Sequence, residues 1–491
     1  MNYINCEKAG VPAKKIKEYL EYLEKNQLST HNIIMAKGDD IFFEKYYEPF
    51  NKDFLHRMYS VSKSFVSLAV GFAIQDGLFG LDDKIVDYFP KESENVTDEN
   101  VKNQTIRHML MMSTAKTPEN WFLARCSDRV RLYFENKCTN SRPSGTIYEY
   151  DSTGSFVLGA LVEKLTGKLF MDYLREKLFD KIGVSKEAYC LKCPGGYSWG
   201  DSAVLCKATD LLKVARFVLN GGKWNGEQLL NEDYIKNAVS SQIDNDYMGI
   251  RKLDAQGYGY LFWRTRENSY FMNGMGCQFA VCVPQKDLIL VHNGDNDGKL
   301  HAKSAVIDGF FDIIVNSMSD CEIEENEKDQ KELKAYADSL FLQATTESPV
   351  SPMEEKINNV EYVLSENPMG IKRVCFVFEG DEGRMEYTNA QGDKTIYMGR
   401  CKNVFAKFPQ EGYSDEVGSV YAPGNYYDCC ASFGWSSEQK LFIKVQIVDK
   451  YFGNLNISVG FRDEYIGIDM RKTAEDFLEE YQGFAGGKAV K

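Results

Sequence analysis

Ser60 and Lys63 stand three residues apart in "YSVSKSF" (59–65), at the mouth of the apolar stretch "VSLAVGFAIQDGL". On one helical turn that spacing sets a hydroxyl beside an ammonium. A serine hydrolase uses the same pair when a lysine, not a histidine, takes the nucleophile's proton. Chance alone gives a chain of this length about two Ser-x-x-Lys stretches. Three are present: Ser60–Lys63, Ser113–Lys116 and Ser437–Lys440. Ser113 precedes the loop signature "TPEN", so no rigid element holds its lysine, and Ser437 lies in a polar turn before a strand. Only Ser60 opens a helix that is apolar all round, where the helix N-terminus would stabilise a developing alkoxide. By itself the motif fits equally well a serine N-cap with a lysine whose stem lies along apolar surface.

No other chemistry stands out. The five histidines form no metal or triad spacing, and Cys190-Leu-Lys-Cys193 is half of a zinc site without a second pair to complete it. No metal and no cofactor is expected. Thirteen cysteines, scattered and odd in number, fit reduced thiols in a cytoplasm. The first residues lack the apolar core of a secretory signal, and no window reaches the length of a transmembrane helix. A net charge of −14 argues against nucleic acid as a partner, because nothing would neutralise phosphates.

The elements that must position Ser60 follow from periodicity. Residues 11–26 carry Ile16, Tyr19, Leu20 and Leu23 on one helical face, and "NIIMAKGDDIFFEKYY" reads as a hairpin about Gly38-Asp39-Asp40. Residues 62–76 form a buried helix stopped by Gly77. From 85 to 235 the pattern is mostly helical, with "GSFVLGALVEKLTG" and "TDLLKVARFVLNGG" the clearest cases. Short strands follow in "YGYLFWRT", "SYFMNG", "QFAVCVP" and "LILVHN", then a helix at 301–318. Strands at both ends with helices between them predict one antiparallel sheet packed by the terminal helices. Three segments are thus expected: a catalytic domain over 1–320, a charged linker with a short helix over 321–350, and a β-rich domain over 351–491 ending in the helix "AEDFLEEYQGF".

The block "SVSKSFVSLAVGFAIQDGLFGLDDKIVDYFP" resembles the nucleophile region of the serine β-lactamase/penicillin-binding-protein superfamily, in particular its class C β-lactamase-like hydrolases. The similarity runs on through "TIRHMLMMST", "GTIYEYDSTGSFVLGALVEKLTGK", "YGYLFW" and "GMGCQFAVCVPQKDLILVHN", and resembles the branch of 6-aminohexanoate-dimer hydrolase and related esterases. It covers roughly residues 10–318 in order, which is more specific than one motif. The resemblance implies an α/β sandwich, an antiparallel sheet flanked by helices plus an all-α lobe, with Ser60 in the cleft between them. It also leaves room for a lipocalin-like barrel at the C-terminus.

Carried over by position, the nucleophile falls on Ser60 and the general base on Lys63. The Tyr-x-Asn motif falls on Tyr150-Asp151-Ser152, with Tyr150 as proton shuttle, neighbouring Tyr148 as a packing residue, and Ser152 replacing the usual asparagine at the substrate amide. The third motif, Lys-Thr-Gly or His-x-Gly in the family, falls on Met272-Asn273-Gly274, followed by Met275, whose N–H would share the oxyanion hole with that of Ser60. Asn273 and Gly274 would meet the substrate.

The expected activity is hydrolysis of an amide or ester of a small molecule through an acyl-serine. The alternatives are a β-lactamase or D-Ala carboxypeptidase, or a binding module that keeps the fold. Neither membrane nor nucleic acid is expected as a partner, and a homodimer is compatible. Because the third motif carries no charge, poor turnover of carboxylate-bearing β-lactams is expected, unless Arg264 or Arg266 supplies the cation.

Overall fold

The computed structural model describes residues 1–490 except 119–120, 123–125, 137–139, 249–251, 415–420 and 476. The chain divides into two compact units, Met1–Leu340 and Phe341–Asp415 with Val420–Lys491.

The first unit is built on a seven-stranded sheet. Its strands are β1 (Asn2–Tyr3), β2 (Thr30–Lys37), β3 (Asp40–Tyr46), β4 (Trp263–Arg264), β5 (Tyr270–Gly274), β6 (Gln278–Val283) and β7 (Leu288–Gly294). They lie in the order β1-β3-β2-β7-β6-β5-β4. All pairs are antiparallel except β1 with β3. The two hairpin strands from the start of the chain thus meet a meander from residues 263–294, with Leu290 opposite Met35. β6 and β7 are buried along their whole length, as strands covered on both faces must be.

Among its helices are α1 (Ala13–Lys25), α2 (Ser62–Gln75), α3 (Ser152–Thr166), α4 (Ala208–Leu219), α5 (Ala302–Gly309) and α6 (Glu327–Ser339). α4 packs on the central strands, α1 on α5, and α2 on α3 within the helical lobe. α2 follows the expected range and stops just before Gly77, whose φ of 74° favours a residue without a Cβ. The serines on this buried helix are all partnered: Ser62 Oγ accepts from Val204 N–H, Ser64 donates to Leu261 O, and Ser67 bonds Tyr234. A small sheet joins His56–Arg57 to Val204–Cys206 and Tyr189–Cys190, and the last two strands lie inside the stretch that periodicity assigned to helices. Its strands have two or three residues, too few for an alternating pattern to register.

α6, in the stretch expected as a linker, has thirteen residues and packs on α1, with Lys17 on Glu332 and Gln330 donating to Glu7.

The second unit is a closed barrel. Nine strands run in antiparallel sequence around it, and the first, Val360–Leu364, pairs with the last, Gly483–Ala489. A nine-membered antiparallel ring leaves two neighbours pointing the same way. These are Gly392–Arg400 and Asp428–Ser437, which close the ring as a parallel pair at Gly399–Ser432. A further strand, Val404–Lys407, pairs with Asp428–Ser437. An eight-stranded lipocalin barrel has an even count and needs no such seam.

Among the described residues of 474–484 the expected terminal helix does not form. Leu478 takes a left-handed backbone (φ 61°) and the chain passes into the last barrel strand. Phe477, Leu478 and Tyr481 are all buried, and Lys472 draws in the carbonyls of Glu475 and Phe477. Packing has overridden helix propensity there.

Candidate active site

Ser60 sits in a 3-10 turn, Tyr59–Val61, that runs directly into α2. Its oxygen caps nothing in that helix, which has no side-chain cap. The residue before it is strained. Tyr59 adopts φ 46°, uncommon for a side chain of its size, and the Arg57 guanidinium lies 4.5 Å from its ring centre. Ser60 lines a cavity of about 550 Å³ together with Tyr150, Trp263, Asn273, Gly274 and Met275.

Lys63 is 1% exposed. Its ammonium donates to Ser60 Oγ at 3.0 Å and to the Asp201 carbonyl at 2.7 Å, and it lies 5.1 Å from the centre of the Tyr150 ring. The lysine is therefore held from three sides and aimed at the hydroxyl. The Asp201 side chain is wholly buried, and that burial pushes its carboxyl up to about 6, against the pull of the Lys63 ammonium.

Tyr150 precedes α3, whose N-cap is Asp151; that carboxylate accepts from Thr153 N–H and from the hydroxyls of Thr153 and Thr114. Ser152 begins the helix, its carbonyl accepting from Ser155, and it is absent from the cavity lining. Tyr148 is buried and packs on Tyr258 and Trp263.

The third motif reaches Ser60 through a close approach. A Cβ on Gly274 would stand 2.3 Å from the carbonyl oxygen of Met58, so only glycine lets β5 come this near the nucleophile turn. β4 pairs with β5 only at Tyr270 and Phe271, which leaves Met272–Gly274 at the sheet edge beside the cavity. Gln278 fixes the turn after it, donating to the carbonyls of Met275 and Gly294 and accepting from Asn293.

The cations proposed from sequence lie elsewhere. Arg264 donates to Val239 O, and Arg266 pairs with Asp308 and Asp312; neither lines the cavity. Lys299 and Lys303 do, with Asp254 and Asp297. Sequence reasoning passed over them because "NDGKLHAKS" shows no motif; only the fold brings it back to Ser60. Lys303 is committed to both Asp254 carboxylate oxygens at 3.1 Å, and Lys299 to the Gln27 carbonyl. The Cys190–Cys193 pair is buried as free thiols, and no group of metal-ligating residues occurs among the described residues.

A serine bonded to a buried lysine, between a helical lobe and the edge of an antiparallel sheet, defines a serine hydrolase of the β-lactamase and penicillin-binding-protein kind. Residues 14–302 match the Beta-lactamase family, and the chain belongs to it. The 6-aminohexanoate-dimer hydrolase of Paenarthrobacter ureafaciens is 24% identical over 281 residues, 53% of this chain and 71% of that protein. Penicillin-binding protein 4* of Bacillus subtilis (strain 168) is 21% identical over 399 residues, 73% of this chain and 82% of its own. In fold, the octameric penicillin-binding protein homologue from Pyrococcus abyssi aligns over 97% of this chain and 99% of its own, with TM-score 0.50 and 13% identity. The protein is accordingly a hydrolase acting on amide or ester bonds. Among the described residues no helix is long and apolar enough to cross a membrane.

Proposed function

We propose that Ser60 is the nucleophile, Lys63 the base and Tyr150 the proton carrier in hydrolysis of a small amide or ester. In the reactive form Lys63 is the neutral amine: Ser60 Oγ adds to the carbonyl carbon while its proton passes to the lone pair of Lys63 Nζ, which becomes the ammonium. The backbone N–H groups of Ser60 and Met275 receive the oxyanion. Collapse breaks the bond to the leaving nitrogen or oxygen, which takes the proton delivered through Tyr150. Water then adds to the acyl-serine, gives its proton back along the same path, and frees Ser60. Asn273 and Gly274 border the substrate, and Ser152, outside the cavity lining, has no part in this reading. The observation that carries it is the 3.0 Å contact of Lys63 Nζ with Ser60 Oγ on a cavity wall.

The substrate is uncharged beside the scissile bond. Both lysines of the cavity wall are engaged, so a carboxylate placed there would compete with Asp254 for Lys303. Burying it without a partner costs several kcal/mol. The 6-aminohexanoate dimer named for one relative, and short esters, are the substrates to try first. Free thiols at all twelve described cysteines favour a reducing compartment, the cytoplasm. A fluorophosphonate probe tests the assignment: one adduct is expected, on Ser60, and an unlabelled folded protein points to the binding-module alternative. A screen of short-acyl esters, ω-amino-acid oligomers, D-amino-acid amides and a chromogenic cephalosporin then tests the substrate. A kcat/KM of about 10⁶ M⁻¹s⁻¹ on the cephalosporin overturns the uncharged-substrate reading.

A further inference from the structure

A line of contacts runs from the cavity wall to the catalytic lysine. Asp254 holds Lys303, with side chains 4% and 14% exposed. Lys303 Nζ lies 5.3 Å from the centre of the Trp263 ring, Trp263 stacks on Tyr150 at 5.6 Å and 29°, and Lys63 lies over Tyr150. Trp263 is fixed from behind as well. It opposes Phe271 in the β4–β5 pair, and it meets Tyr258 and Tyr148 edge-on at 5.2 and 6.1 Å. The indole therefore joins the sheet edge bearing the third motif to the phenol contributed by the helical lobe.

We propose that Trp263 is the positioning residue for Tyr150, with the Asp254–Lys303 pair as the clamp that holds the indole against it. This rests on Tyr150 being the proton carrier. A stacked indole sets the plane of the phenol ring and hence the place of its hydroxyl. Misplacing a reacting group by 1 Å can cost about 100-fold in rate.

A cycle of four enzymes tests it: wild type, Tyr150→Phe, Trp263→Leu and the double variant. Trp263→Leu is expected to lower kcat by about 10- to 100-fold with KM within about threefold of wild type. Trp263→Phe, which keeps a ring, is expected to recover most of the loss. In the Tyr150→Phe background Trp263→Leu should change kcat by less than about twofold, because the group it positions is gone. The same loss in both backgrounds overturns the proposal, and so does a change in KM alone, which is what a mere substrate wall would give. Wild-type speed in Tyr150→Phe would instead strike the assignment of Tyr150 itself. The clamp gives a second arm should the ringless variants fail to fold. Asp254→Asn with Lys303→Met removes both charges without stranding either, and should lower kcat about threefold to tenfold only when Tyr150 is present. No loss, or an equal loss in the Tyr150→Phe background, overturns it.

Discussion

Two Ser-x-x-Lys stretches in the first unit place a lysine three residues after a serine, and both lysines are buried. Ser60 and Lys63 lie on a 3-10 turn that continues into a fourteen-residue helix, so the two side chains share one face and meet at 3.0 Å. Ser113 and Lys116 lie after Met112, whose φ of 55° breaks the helical path, and their side chains part. Ser113 Oγ turns back to the His108 carbonyl, and Lys116 reaches forward to the carbonyls of Phe134 and Asn136. Identical spacing brings the two side chains together here only where the backbone between them is helical. What surrounds the lysine differs too: Lys63 has a carbonyl, a phenol ring and a buried carboxyl nearby, whereas the two carbonyls hold Lys116 as a strut.

The largest effect should separate the two serines. Ser60→Ala is expected to abolish both turnover and fluorophosphonate labelling, with a cost in stability of about 1 kcal/mol or less because the hydroxyl caps no helix. Ser113→Ala should keep both. Mass spectrometry of the labelled proteins decides, and an adduct on Ser113 breaks the comparison. Next come the lysines. Lys63→Ala should lower kcat nearly as far as Ser60→Ala, since residues acting as a unit are not additive. More than a few per cent of residual kcat would put the proton path elsewhere. The tyrosines extend the same test. Tyr150→Phe should lower kcat by roughly two to four orders of magnitude, whereas Tyr148→Phe, removing a hydroxyl from a buried packing position, should leave steady-state rates nearly unchanged.

The helix that Ser60 leads into was legible in the sequence because it depends on local pattern: a buried helix announces itself by apolar residues on every face. Barrel strands that alternate, such as Phe452–Arg462, were equally legible. Trp263, Asp254, Lys299 and Lys303 were not. Their place at the cavity depends on which strand lies beside which, and no periodicity in "NDGKLHAKS" encodes that. The three-stranded sheet that carries the Val204 contact to Ser62 was invisible for a related reason, its strands being shorter than one alternation. Arg264 and Arg266, the cations sequence reasoning could name, point into other partnerships.

Asp201 sharpens the contrast through pH. In the unfolded chain its carboxyl should titrate near the ordinary value of 3.8, and in the folded protein at about 6. Between those values the folded state holds the extra proton. Stability from this group is therefore present at low pH, is lost as pH rises through that window, and is level above it. The loss is about 3 kcal/mol at one unit per 1.36 kcal/mol. Asp201→Asn should remove this pH dependence, so its stability relative to wild type should rise from pH 4 to pH 6 and then stay constant. Urea unfolding at pH 4, 5, 6 and 7 measures it, and a constant difference would show that the carboxyl does not titrate in that range.

The smallest effect belongs to Lys116. Its ammonium bonds the Phe134 carbonyl at 2.8 Å and the Asn136 carbonyl at 2.7 Å, at the C-terminal end of the helix Arg129–Glu135. Carbonyls at a helix end lack partners within the helix and carry the negative pole of its dipole, so a buried cation there both fills bonds and complements charge. Lys116→Met keeps the unbranched stem and removes the ammonium. Phe134 is buried, so its carbonyl loses a bond that water cannot readily replace, at a cost of about 1–3 kcal/mol. The denaturation midpoint should fall accordingly while kcat stays within about twofold of wild type, because no part of the proposed proton path passes through this lysine. A variant of unchanged stability and collapsed kcat would reverse the roles assigned to the two pairs.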